Sequence, residues 1–347
     1  MTDDQRVSFG LIGCGSVAPY HVHAFQKSSL ARLALVADAD AEIARRFGER
    51  FGVSAARTVD ELLSFTGIQA VSIATPPGTL ATLGAQAARA GKHVLAEKPL
   101  ASTVEEARAL IETCRNAGIK LSVWLERRYQ PFAVKARELI QNGTLGPIFL
   151  ITVNTLVYKT ASYWNYGFRN EGPSTDWRRS RTLSGGGVLL INTIHQLDLA
   201  AFISGLRVVD VFARTIGGAG EVENVALASL RCSRGELINV TASSSAFGLG
   251  NFPVYASRDI LVGAEGSLIL STPLELKHRV IGTKSFELPL LDLVDSKALA
   301  VDDFAKVILE GREPPISPMD ALKALTVVKA AYRSAETGER VLLGEED

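Results

Sequence analysis

The apolar run RVSFGLI at residues 6–12 stops at Gly-Cys-Gly-Ser-Val-Ala, residues 13–18, and a helix-like stretch begins at about Pro19. Few arrangements accept that pattern. The run has the character of a strand buried on both faces. Gly13 permits a tight turn, and Gly15 lets a ligand approach the backbone. The small Ala18 lets the next helix pack close to the strand. That helix opens with unpaired N–H groups aimed at the turn, which is a place for negative charge. GxGxxA alone is weakly specific, and it gains weight from the second strand. That strand, LALVAD, ends at Asp38, where a carboxylate is placed to bond both ribose hydroxyls of an adenosine. Gly13, Gly15, Ser16, Val17, Ala18 and Asp38 are therefore expected to hold a dinucleotide. Asp38 and Asp40 would repel a 2′-phosphate, which favours NAD. Arg45 and Arg46 lie near in sequence and keep NADP open.

The pattern repeats. Helix follows strand from about Asp40 to Phe51, then strand AVSIAT (70–75) is cut off by Pro76 and Pro77. A helix ends at Gly91, strand HVLAE ends at Glu97, and Ser102 with Glu105 reads as a capping box for the next helix. KLSVWL is the fifth strand. Apolar strands alternating with amphipathic helices mean a doubly wound parallel sheet covered on both faces. After Val123 the period changes. A helix spans 131–141, and long alternating strands are expected at 148–158, 208–215, 224–232 and 236–245, with helices at about 188–203 and 319–334. Alternation implies a sheet with one face buried and one polar. The expected fold is α/β: a Rossmann domain over 1–123 and an α+β domain with an open, mainly antiparallel sheet over 124–347.

Composition narrows the function classes. Lysine plus arginine and aspartate plus glutamate both count 37, so the chain is not globally basic and no nucleic-acid partner is expected. No uninterrupted apolar run is long enough to span a bilayer, and the acidic start is unlike a secretory signal. Three distant cysteines, with no CxxC, fit a reducing cytoplasm and suggest no metal site; Cys114 falls on the apolar face of a helix. The HxH pair, His21 and His23, lacks a third ligand of suitable spacing and reads as two helical or turn histidines.

At the end of the fourth strand stands Glu97-Lys98-Pro99, in GKHVLAEKPL. With GCGSVA, Asp38, the ATPP turn at 74–77, RRYQPF, GTLGPI, WRRSRTLSGGGVLLINTIHQLD, GAEGSLIL and the C-terminal DALKALTVVKAAYRSAETGERV, the chain resembles the Gfo/Idh/MocA oxidoreductases over nearly its whole length. The resemblance implies hydride transfer between NAD(P) and a hydroxyl carbon of a sugar, polyol or related compound. It also implies assembly through the C-terminal sheet, as a homodimer or homotetramer. Two other readings stay open: a nicotinamide-dependent hydrolase or eliminase of the same fold, and a non-catalytic NAD-sensing regulator.

Lys98 ends a parallel strand, where ligands bind in such sheets. The resemblance places it beside the nicotinamide and the reacting carbon, with Glu97 in support and Thr75, Pro76 and Pro77 against the cofactor. It makes His195, downstream of the glycines 185–187, the proton acceptor. Two departures stand out: Ile191 where many members carry an aspartate, and Leu80 where many carry a histidine. Asn192 remains as a hydrogen-bonding partner for substrate, and Asp198 matches the more often structural aspartate of HxxD. Tyr163, Trp177 and Arg178, in a loop that also holds Tyr158, Trp164 and Asp176, are candidates to close over a sugar ring. Arg128 is expected to pack or form a salt bridge at the domain junction.

Overall fold

The computed structural model describes residues 6–167, 176–218, 220–249 and 258–344. Its first half runs β1 (Val7–Ile12), α1 (Ala18–Lys27), β2 (Ala31–Ala37), α2 (Ala41–Phe51), β3 (Ser54–Ala55), α3 (Val59–Ser64), β4 (Ala70–Ile73), α4 (Pro77–Arg89), β5 (His93–Ala96), α5 (Val104–Asn116) and β6 (Leu121–Val123). These strands form one parallel sheet in the order β3-β2-β1-β4-β5-β6. The order reverses direction between β1 and β4, and a crevice opens there beyond the carboxyl ends of the strands. β1 and β4 are buried along their whole length, as two covered faces require. The capping box of α5 uses Thr103 and Glu106, one residue beyond the expected Ser102 and Glu105. Burial of Ala107, Leu110 and Cys114 sets the helix phase, and Ser102 instead donates its hydroxyl to Glu106.

A 3₁₀ turn, Glu126–Tyr129, leads into the second half: α6 (Pro131–Gln141), β7 (Ile148–Leu156), α7 (Ala161–Tyr166), α8 (Arg181–Ser184), a π turn (Leu189–Thr193), α9 (Ile194–Ser204), β8 (Val208–Gly217), β9 (Glu223–Cys232), β10 (Leu237–Ser243), β11 (Asp259–Gly263), β12 (Gly266–Leu270), β13 (Leu274–His278), β14 (Gly282–Phe286), α10 (Leu293–Glu310), α11 (Pro318–Thr337) and β15 (Val341–Leu342). Nine strands form a sheet ordered β14-β13-β12-β11-β7-β10-β9-β8-β15, antiparallel except between β7 and β10. Helices α9 and α11 cover one face. The other face exposes Phe149, Phe212, Ile216, Leu227 and Leu237.

Three further features depart from the sequence reading. Strands β11 to β14 are short and weakly patterned, and they extend the sheet beyond the four expected strands. Helix α10 returns to the N-terminal half, where Phe304 joins Phe9 and Phe25 in one cluster. The helix expected over 188–203 is a π turn followed by an α-helix, so a uniform 100° per residue does not describe it. The whole stretch Arg181–Ser204 is long and apolar enough to pass for a bilayer span by composition, which a search for an uninterrupted apolar run misses; 83% of its most apolar window is buried in the core.

Candidate active site

A cavity of about 1220 Å³ runs from the glycine turn after β1 to the start of α9. It is lined by Gly13, Gly15, Ser16, Val17 and Asp38 at one end, by Thr75, Pro76 and Pro77 along one wall, and by Lys98, Asn192 and His195 at the other end. Every expected site residue reaches it except Ala18, which is fully buried as the first residue of α1 and closes the helix onto the strand.

The glycine turn fits a pyrophosphate. Gly13 has φ +97°, and a Cβ there would meet the Ala74 carbonyl at 2.8 Å. A Cβ at Gly15 would meet nothing within 4 Å, so the space beside this backbone is open to a ligand. The Asp38 carboxylate is fixed from two sides, accepting the Cys14 N–H at 2.8 Å and the Asp40 N–H at 3.1 Å. Arg45 and Arg46 are both bonded to Glu42, with Arg45 also paired to Glu49, on the outer surface of α2. The Thr75 hydroxyl is buried and has no hydrogen-bond partner among the described residues. Arg178 donates to the Ser16 hydroxyl at 3.0 Å, so the second half reaches across to the glycine turn. Its guanidinium also lies 4.5 Å from the Trp177 ring centre and 5.5 Å from that of Tyr163. Tyr158 packs on Phe247 instead, and Asp176 precedes the 3₁₀ turn at 177–179.

At the other end, the Lys98 ammonium donates to the carbonyl of Ile191 at 2.8 Å. A π turn widens the backbone ladder and leaves a carbonyl to outside donors. Burial pulls Lys98 down to about 8, helped by Lys297 and Arg127 and opposed by Glu97 and Glu126. His195 is 8% exposed, and its Nδ1 is buried without a partner among the described residues. Burial, then the charges of Lys98, Arg127 and Lys297, hold its pKa well below the ordinary imidazole value. It therefore stays a neutral base at neutral pH. The three glycines before it serve packing. A Cβ on Gly187 would lie 2.0 Å from the Glu223 carbonyl, and one on Gly186 would lie 2.2 Å from the Tyr332 hydroxyl. The Glu223 carboxylate accepts the N–H groups of Gly187 and Leu189, anchoring the start of the turn that carries Ile191 and Asn192.

Glu97 turns away from Lys98. It bonds His21 at 2.9 Å and Lys297 at 2.7 Å, and it accepts the Lys98 N–H. His21 also bonds Ser72, while His23 lies at the surface beside Gln26. Asp198, 2% exposed, is held by Arg128, which also bonds Asp320 at 2.8 Å. The sequence reading missed Glu126, Arg127 and Lys297 as cavity residues. Arg127 opens the RRYQP string and Glu126 immediately precedes it, but Lys297 sits mid-helix with no local signal.

A Rossmann fold with this turn and a fixed carboxylate just past β2 is the framework of a dinucleotide-binding protein. Comparison with known proteins makes that specific. Residues 7–125 match the oxidoreductase family model described as an NAD-binding Rossmann fold, and residues 137–343 match its C-terminal alpha/beta domain. The chain belongs to the Gfo/Idh/MocA oxidoreductase family. It is 28% identical to the inositol 2-dehydrogenase of Rhizobium meliloti, covering 95% of this chain and 97% of that one. It is 29% identical to the D-apiose dehydrogenase of Paraburkholderia graminis, covering 99% and 91%. Among solved structures, the aldose-aldose oxidoreductase of Caulobacter crescentus, complexed with glycerol, superposes with a TM-score of 0.83 at 27% identity, covering 97% and 100%.

Proposed function

We propose that this protein is an NAD-dependent dehydrogenase of a sugar, polyol or related hydroxy compound. The observation that carries the reading is the single cavity joining the Asp38 and glycine-turn end to Lys98 and His195. Bound NAD supplies the hydride acceptor. His195 takes the proton of the substrate hydroxyl as the carbonyl forms, and returns it in the reverse direction. Lys98 donates to the same oxygen and stabilises its developing negative charge. Glu97 holds Lys98 through the backbone and through the charges beneath it. Asn192, Tyr163 and Trp177 orient the substrate, and Arg178 steadies the phosphate end. The exposed apolar row on the nine-stranded sheet is the surface through which the chain assembles, and sedimentation at micromolar concentration should show at least a dimer.

A screen of inositols, sugars and sugar acids, read as NADH absorbance, tests the activity. No reduction with any of them would overturn it. Asp38 tests the cofactor side. Asp38→Ala should weaken NAD binding by about 10–100-fold while leaving NADP unchanged or improved, the effect of losing a charged hydrogen-bond partner. Parent protein that binds NADP more tightly than NAD would remove this role.

A further inference from the structure

Glu126 opens the turn after β6 and lines the cavity with Lys98, Asn192 and His195. It is 7% exposed, and its Oε2 is buried with no hydrogen-bond partner among the described residues. A carboxylate oxygen taken from water without a partner is costly, and such atoms in folded proteins call for an explanation. The other buried carboxylates nearby are provided for. Glu97 has Lys297 and His21, Asp198 has Arg128, and Glu223 has two amides and Tyr332. Lys98 is near enough for Glu126 to favour its charged form, yet Lys98 donates to the Ile191 carbonyl. The turn that precedes His195 offers the cavity Ile191 and Asn192, and no carboxylate.

A carboxylate oxygen accepts hydrogen bonds, so the partner that Glu126 Oε2 lacks is a donor. Lys98 and Arg127 in the same wall disfavour a cationic ligand, which leaves a neutral donor such as a hydroxyl. We propose that Glu126 is a specificity-determining residue that accepts a hydrogen bond from a substrate hydroxyl on the carbon next to the one oxidised. The site then selects vicinal diols and polyols over isolated alcohols. This rests on the dehydrogenase reading above.

The test uses the NAD-loaded full chain with myo-inositol, D-glucose and their monodeoxy and monofluoro analogues. Glu126→Gln should lower kcat/KM about 10–100-fold on the best of these substrates, with NAD affinity unchanged. One deoxy analogue should lose a similar factor with the parent and almost nothing further with Glu126→Gln, because enzyme and substrate then lack the same bond. Full multiplication of the two losses for every analogue, or an unchanged kcat/KM in the variant, would overturn the Glu126 assignment alone. No NADH from the parent with any polyol would overturn the dehydrogenase reading beneath it. The parent gives an independent check should the variant not fold. Fluorine cannot donate, so the fluoro analogue at that carbon should fail as the deoxy one does, and a retained rate would remove the proposal.

Discussion

Glu97 and Lys98 are neighbours at the end of β5, yet their side chains enter two differently built regions. Glu97 reaches the cavity wall, but its carboxylate is taken up by protein partners. His21 bonds both Glu97 and Ser72, Trp124 donates to Ser72 at 3.2 Å, and the Lys297 ammonium lies 4.1 Å from the Trp124 ring centre. Lys98 points up into the cavity, beside a histidine nitrogen and a glutamate oxygen that have no partner among the described residues. Both regions bury charge, at a cost that only good partners offset. The lower one is satisfied within the protein and acts as scaffold. Perturbed pKa values occur in both regions, so the unpartnered atoms set the upper one apart, and on the proposed reading they keep its bonding capacity for a ligand.

The largest expected effect separates the two regions by activity. Lys98→Met and His195→Asn remove the donor and the base while leaving the side-chain hydrogen bonds among Glu97, His21 and Lys297 in place. Turnover should fall about 10²–10⁴-fold in each, with NAD affinity and melting temperature little changed. The double variant should be little worse than the worse single one, since groups acting as a unit are strongly non-additive. Steady-state rates and a thermal melt check this together. A His195→Asn protein turning over at the parent rate would make His195 a packing residue and erase the contrast.

The next effect belongs below. Lys297→Met leaves Glu97 buried without its main cation, a loss typically worth about 3–5 kcal/mol. Urea unfolding should show it as a lower midpoint. Burial alone would raise the Glu97 pKa, but Lys297, His21 and Lys98 outweigh it and hold the carboxyl below its usual range. Without Lys297, His21 is free to take a proton and serve as the countercharge, since Lys297 is one of the influences that now keep it neutral. The deficit should therefore be larger at about pH 8 than at about pH 5. An equal deficit at both would mean that His21 does not answer for Glu97.

How far the sequence reached follows the same division. The upper region is built largely from residues at strand ends and tight turns, where a local rule applies: glycines before a helix, an acid or a lysine at a carboxyl end. Those positions are readable one by one, and they meet in one cavity. The lower region is assembled from α1, β4, β5 and α10, across some 276 residues of chain between His21 and Lys297. His21 carried only the weak sign of an HxH pair, and Lys297 none. The π turn was invisible too, because apolar spacing over Leu189–Thr193 does not distinguish it from α-helix. It depends on the contacts of Glu223 and Lys98 from other elements.

The smallest effect sharpens the contrast through the two buried histidines, whose pKa values move the same way for partly different reasons. Burial, then Lys297, lowers His21 to about 4 against the opposing pull of Glu97. Burial, then Lys98, lowers His195 well below its ordinary value, with no carboxylate in opposition. In each case the unfolded chain takes up a proton on acidification before the folded one does. Stability should thus decline as pH falls below about 6.5, and His21 should add nothing further below its own folded value. His21→Gln and His195→Asn should each flatten part of that decline in urea midpoints taken across the acid range. Only His195→Asn should also remove the acid limb of NADH formation, because only His195 must be neutral to accept the substrate proton. That limb should lie below the usual imidazole range in the parent. A kinetic limb that persists in His195→Asn and vanishes in His21→Gln would move the proton acceptor to the lower region and reverse the roles assigned to the two.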